Sequence, residues 1–315
     1  MNEDLMRLRI DLAYDGSNFN GWAKQRHLRT VQGEIEAGLT QVLRLPAGDH
    51  FISAEHAGMS QYPWVPQLVV AGRTDTGVHA AHQVCHLDIP RETIEGCVGH
   101  LNSSPVQALE HRLQHVLPRD IALHRISVAA EGFDARFSAL ERTYIYRICD
   151  NLSVVDPRMR PFVLNIDGPL DIETMNVAAA SIVGLHDFGS FARANPGGTT
   201  IRKVKYAHWE RVSNSSSLER TQFYQAPILE SGLVCFTIVA DAFAHNMVRS
   251  LVNACLRVGL GKQDLEWFKD KVAQPVREGS TGPVAACGLS LEHVAYPPDN
   301  QLASRAQAIR AKRTL

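Results

Sequence analysis

The chain has 315 residues, of which 45% are hydrophobic and 21% charged, and a formal net charge of −1. That is enough chain for two domains with a sizeable core. The lack of any apolar run near 18 residues excludes a membrane-spanning helix, and the near-neutral total argues against a uniformly basic nucleic-acid binder.

Taken in chain order, Met1 to Arg9 mixes acids and bases with no apolar stretch, so no secretory signal is expected. Arg7–Tyr14 alternates apolar and polar residues and predicts a strand, which Asp15-Gly16-Ser17-Asn18 then ends. Thr30 is placed to cap a helix whose apolar positions are Val31, Ile35, Leu39, Val42 and Leu43. Residues 47–66 have no period and read as an inserted surface loop. Leu68–Val70 and Gln83–Ile89 predict strands, Val106–Val116 a helix, and Ile121–Val128 and Thr143–Cys149 strands.

The second half repeats this style. A helix is predicted over Met175–Val183, strands over Ile201–Val212 and Val234–Ala240, a strong helix over Ala244–Leu260, and a last strand over Leu289–Val294. The pattern predicts an α+β protein of two related halves, each a mostly antiparallel sheet with helices, forming a central cleft. The halves are drawn at 1–137 and 138–297, with a loose or helical basic tail at 298–315. Stretches 47–66, 103–116 and 213–230 read as inserts.

Charge is unevenly spread. Ala192–Trp209 carries Arg193, Arg202, Lys203 and Lys205 with no acid, and the tail carries Arg305, Arg310, Lys312 and Arg313 with none after Asp299. A local positive groove suffices to hold phosphates, so RNA stays open as a partner. Six scattered cysteines, without C-x-x-C spacing, read as reduced thiols of a cytoplasmic protein. His79, His82, Cys85 and His86 crowd together as zinc ligands do, but strand alternation puts Cys85 on the face opposite His82 and His86, so no metal is expected. Gly259-Leu260-Gly261-Lys262 lacks the spacing of a phosphate loop, so no nucleotide cofactor is expected either.

The densest chemistry is Ala71-Gly72-Arg73-Thr74-Asp75-Thr76-Gly77-Val78-His79. A strand ends there in a loop that holds one cation, one carboxylate and two hydroxyls between glycines. Thr74 and Thr76 are positioned to fix the carboxylate by hydrogen bonds. A bare turn in which Asp75 binds nearby N–H groups is the plainer reading of T-D-x-G alone.

The full string resembles the signature of the TruA-type tRNA pseudouridine synthases, where G-R-T-D-x-G-V-H holds the catalytic aspartate. The resemblance runs from Tyr14 to Tyr296. It takes in Tyr14-Asp15-Gly16 with Phe19, Gly21 and Trp22, then Thr30-Val31-Gln32-Gly33 with Glu36, and Leu117-Pro118-Arg119-Asp120-Ile121. It continues through Phe133, Ala135-Arg136-Phe137-Ser138-Ala139, Arg142, Tyr144 and Tyr146, and then Gly184, His186-Asp187-Phe188 and Ser190-Phe191. Ala242-Phe243, Met247-Val248-Arg249, Val258-Gly259 and Gly288-Leu289 complete it. The chain departs from the family at Ala23, where glutamine is usual, at Asp134, where histidine is usual, and at Ala244 and Asn246, which flank His245.

The resemblance implies the pseudouridine synthase fold and a cofactor-independent isomerase that converts uridine to pseudouridine at positions 38, 39 and 40 of the tRNA anticodon arm. It implies tRNA as partner, a homodimer, Asp75 as catalytic nucleophile and Arg249 as its ion-pair partner across the cleft. Tyr144 would pack against the target base, Arg73 would hold a nearby phosphate, and Leu289 would wall the base pocket. Asp75 attacking sugar or base, or removing a sugar proton, are all open, and so is the acceptor of the C5 proton: Asp75, or Tyr144 through water. The rival readings are a synthase for another RNA site, a catalytically silent tRNA-binding protein, and a metal hydrolase on the histidine cluster.

Overall fold

The computed structural model describes residues 5–46, 64–99, 102–150, 152, 154–193, 198–213, 217–221, 224–227, 229–276 and 279–309. The proposed insert at 47–66 therefore lies outside the described residues except for its last three. The first half contributes β1 (Leu5–Tyr14), α1 (Val31–Val42), β2 (Leu68–Val70), β3 (His79–Pro90), α2 (Arg91–Glu95), α3 (Pro105–Val116) and β4 (Ile121–Val128). The second contributes β5 (Glu141–Cys149), β6 (Leu164–Asn165), α4 (Ile172–Ala180), β7 (Gly184–Asp187), β8 (Ile201–Arg211), β9 (Ser217–Thr221), β10 (Tyr224–Pro227), β11 (Val234–Ala240), α5 (Met247–Gly259), α6 (Leu265–Ala273), β12 (Leu289–Ala295) and α7 (Leu302–Ile309).

The strands of both halves join in one ten-stranded sheet with the path β4-β1-β3-β12-β5-β11-β8-β7; β2 also pairs with β3, and β6 with β5. The pairing is antiparallel except where β12 meets β3 and β6 meets β5. β12 is the seam: Ser290 and Leu291 pair in parallel with His79 and Ala80, and Leu291 faces Tyr144 on β5. This explains why β3 begins four residues before the predicted Gln83. Its first residues are held on both sides, by Tyr14 of β1 and by β12. β9 and β10 form a separate two-stranded sheet within the proposed insert 213–230.

Local chemistry sets the helices. Thr30 caps α1 by accepting from the Gly33 N–H, and Val31, Ile35, Leu39 and Val42 form its buried stripe. Its buried carboxylate, Glu36, is fully partnered: Lys24 Nζ lies 3.1 Å from Oε2, and Gln32 Nε2 and the Leu68 N–H donate to Oε1 at 2.8 and 3.2 Å. Glu36 thus ties helix, loop and β2 together, which gives the family-like glutamate a structural job. In α3, Ser104 and Gln107 form a reciprocal capping box, so part of the proposed insert 103–116 is a regular helix packed on β4 and α1. α5 starts at Met247, not at Ala244, because Asn246 is left-handed with φ 63° and interrupts the turn.

Candidate active site

Asp75 sits on the loop between β2 and β3, and that loop is held by the loop that follows β1. The Trp22 N–H donates to the Thr74 carbonyl at 3.1 Å, and the Gly77 N–H to the Phe19 carbonyl at 3.2 Å. The contact is close because Gly21 has no side chain: a Cβ there would stand 2.8 Å from the Thr74 carbonyl oxygen, and its φ of 82° already favours glycine. Gln83 Nε2 donates to the Gly72 carbonyl at 2.9 Å and to the Tyr14 phenol oxygen at 3.3 Å. The Tyr14 proton is then directed to Thr74 Oγ1, 2.8 Å away, and burial raises this phenol's pKa to about 12.

The expectation that Thr74 and Thr76 fix the carboxylate is corrected by this geometry. Thr74 is buried and committed to Tyr14, Thr76 is exposed, and neither hydroxyl bonds Asp75. The groups that do face Asp75 come from the second half. Arg249 Nη1 of α5 stands 3.7 Å from Oδ2, and His245 Nε2 stands 3.5 Å from Oδ1. Arg249 is aimed by its own Nε, which donates to the Val284 carbonyl at 2.7 Å. Asp75 keeps 30% of its side chain exposed while Arg249 keeps 16%, so the pair lies at the edge of solvent with the cation the more covered.

Tyr144 and Tyr146 share one face of β5 but differ in environment. Tyr146 is fully buried and donates to the Ala285 carbonyl at 2.7 Å. Tyr144 makes no hydrogen bond to a described residue; its ring meets the Phe243 ring edge-on with centroids 5.0 Å apart. Burial, with smaller contributions from Tyr14 and Asp75, lifts the Tyr144 phenol well above its ordinary range. A phenol so placed is held in its neutral form. Leu289 opens β12 opposite Tyr146, and its N–H donates to the Ala286 carbonyl, beside the Asp75 loop at Gly77. Arg73 is exposed and has no partner among the described residues.

One residue of the motif set has a role that was not foreseen. Arg142 is a buried guanidinium whose hydrogen bonds go to backbone carbonyls. Its Nη2 donates to the Ala71 carbonyl at 2.6 Å and the Arg136 carbonyl at 2.9 Å, and its Nη1 to the Asp241 carbonyl at 2.7 Å. It clamps the root of the Asp75 loop to β5 and to the end of β11. Burial pulls its pKa down, yet the three carbonyls satisfy the charge locally. His245 matches the family pattern but carries no role in the sequence reading, and it stands next to the left-handed Asn246, which no residue pattern announces.

The histidine cluster does not converge. His79 Nδ1 accepts from the Gly16 N–H at 3.0 Å and its Nε2 faces the Cys287 carbonyl at 3.1 Å; burial lowers its pKa, which fits a neutral ring. His82 Nε2 faces Asp11 at 2.9 Å, Cys85 is fully buried on the other face, and His86 Nδ1 accepts from the Ala135 N–H. Among the described residues no group of three or more His, Cys, Asp or Glu side chains is gathered as a metal would require. Asp134, the departure from the family pattern, accepts from the Arg136 and Phe137 N–H groups and so serves a local turn.

A family model described as tRNA pseudouridine synthase matches residues 178–297. A protein named tRNA pseudouridine synthase A from Bifidobacterium longum (strain NCC 2705) is 59% identical over 315 residues, covering 99% of this chain and 100% of that one. Proteins of the same name from Streptomyces avermitilis and Cutibacterium acnes are 42% and 38% identical, each covering 98% of this chain and 95% and 96% of their own. Similarity of this extent, over a chain whose Asp75 loop and α5 meet as described, means that this protein belongs to the tRNA pseudouridine synthase A family.

Proposed function

We propose that this protein isomerises uridine to pseudouridine in the anticodon stem-loop of tRNA, at positions 38, 39 and 40, with Asp75 as the catalytic group. The observation that carries the reading is the meeting of Asp75, from one side of the seam, with Arg249 on α5, with the buried Tyr144 near enough to feel the Asp75 charge. The relatives' shared name supplies the substrate class.

The reaction detaches uracil from C1′ of its ribose, turns the base and rejoins it through C5. The C5 proton leaves and N1 gains one, so no atom is added overall and no cofactor is called for. The target nucleotide must first leave the stack, at a cost of a few kcal/mol. Stacking on Tyr144, of order ~1–3 kcal/mol, offsets part of this, and Arg73 is free to hold a neighbouring phosphate. Leu289 closes the apolar side of the pocket. Arg249 keeps a carboxylate in place beside the reacting sugar. With Tyr144 held as a neutral phenol, Asp75 is the better acceptor for a proton, whether it first attacks the ribose or the base.

Residues 1–137 and 138–297 form the two walls of the cleft, and the tail from 298 follows them. Three neighbouring target positions call for recognition of RNA shape and backbone more than of base identity. The protein acts as a homodimer in the cytoplasm, one subunit holding the tRNA body while the other carries out the reaction.

Tritium release from tRNA labelled at uracil C5 tests the assignment. Wild type is expected to release tritium at positions 38–40, and Asp75→Asn to lose at least about 10³-fold in rate while binding tRNA within severalfold of wild type. Substantial turnover by the Asn variant would refute the central role of Asp75.

A further inference from the structure

Arg249 is one of two donors facing Asp75. His245 Nε2 lies 3.5 Å from Oδ1, while the nearest approach of Arg249, Nη1 at 3.7 Å, is to Oδ2. The approach is built into the backbone. The His245 carbonyl accepts from the Arg193 N–H at 3.2 Å, in an isolated bridge that fixes this residue in extended form. Asn246 then turns left-handed with φ 63°, and Met247 begins α5, its N–H on the Ala244 carbonyl. A non-glycine residue in this conformation carries strain of order ~1 kcal/mol or more. Without that turn, α5 would continue back through His245 and carry its ring round the helix axis.

We infer that His245 is a positioning residue for the reaction: its Nε2–H, with Arg249 on the other oxygen, fixes the plane of the Asp75 carboxylate. The inference rests on the reading of Asp75 given above. Arg249 commits its Nε to Val284 and makes its nearest approach to Oδ2, at 3.7 Å, so a donor on that side alone holds the carboxylate loosely about its last torsion. A donor on each oxygen removes that freedom. Both separations exceed hydrogen-bond length, as expected of a site that tightens when substrate excludes water. Neutral imidazole and imidazolium can each supply the Nε2–H.

The test uses tritium release from C5-labelled tRNA by the full-length protein. His245→Ala is expected to lower kcat about ten- to a hundredfold, the worth of one hydrogen bond to a charged group, with KM changed less than about twofold. His245→Gln, whose amide nitrogen falls near the place of imidazole Nε2, is expected to recover most of the rate. The His245 side chain is 46% exposed, so neither change threatens the core. If wild type releases tritium and His245→Ala keeps its kcat, or changes KM alone, the assignment is overturned while the reaction reading stands. Equal losses in the Ala and Gln variants also overturn it, because a donor at that position would then not matter. No release by wild type would bring down the reaction reading and this assignment together.

Discussion

Arg249 shows how much a single side chain is asked to do. Its Nε is spent on the Val284 carbonyl while Nη1 faces Asp75, so the guanidinium fork both anchors itself and presents charge. A lysine keeps the charge but cannot serve both partners. Arg249→Lys is therefore expected to lower kcat by roughly ten- to a hundredfold with little change in KM, in the same tritium assay; unchanged kcat would mean that charge alone suffices. Asp75 and Arg249, which the structure brings to 3.7 Å, each stand out in the sequence in a dense motif. The roles of Arg142 and His245 are not legible there. Arg142 binds three backbone carbonyls, and carbonyls carry no residue identity that a sequence could reveal. His245 depends on one backbone torsion at Asn246. The two threonines misled for the opposite reason: hydroxyls next to a carboxylate suggest local bonds, but burial turned Thr74 to Tyr14.

At the scale of elements, the strands and helices that pack against the core were the readable ones, because burial on one face imposes a period. β4 and β11 fall where alternation placed them, and α1 begins at its cap. α6 and β7 were not anticipated. α6 buries only Phe268 fully and so has a weak stripe, while β7 is four half-exposed residues held by pairing with β8. The loop between β1 and α1 matters most to the site, and Gly21 is its tightest contact. Gly21→Ala is expected to cost at least about 1–2 kcal/mol from the left-handed backbone. It should also depress kcat, because the added methyl pushes on the Thr74 carbonyl one residue from Asp75. Gly261→Ala is the control: φ there is 66°, but nothing lies within 4 Å of the new methyl, so thermal stability falls while kcat holds. Matching kcat losses in the two variants would show that strain, and not displacement of the Asp75 loop, is responsible.

For the molecule as a whole, the buried histidines of β3 are expected to make stability fall with acid. Burial, aided by Arg7, lowers the His86 pKa from 6.5 to about 4, and burial lowers His79 as well. In the unfolded chain these rings take up protons below about 6.5, whereas His86 in the fold resists down to about 4. The unfolded state thus binds more protons across that window, and stability must fall as pH drops from about 6.5 towards 4. Asp11, Asp88 and Asp120, held below the usual carboxylate range, add their own loss at still lower pH. His86→Asn, which keeps an acceptor near the Ala135 N–H, is expected to flatten the thermal midpoint between pH 6.5 and 4.5 relative to wild type. Equal slopes for the two proteins would place the acid sensitivity elsewhere.

The seam at β12 also governs when in its life the molecule becomes competent. Strands β3 and β5 leave the ribosome well before the strand that joins them, which is the last strand in chain order among the described residues. Until it arrives, the inner edge of β3 at His79 and Ala80 lacks its β12 partner, an open edge of the kind that invites wrong pairing. The non-local closure is slow by nature, because a long stretch of chain must be gathered before the contact repays it. A nascent chain carrying both Asp75 and Arg249 thus still lacks the strand that joins their two sides, and a chain cut before Leu289 is expected to be inactive and prone to associate, not weakly active.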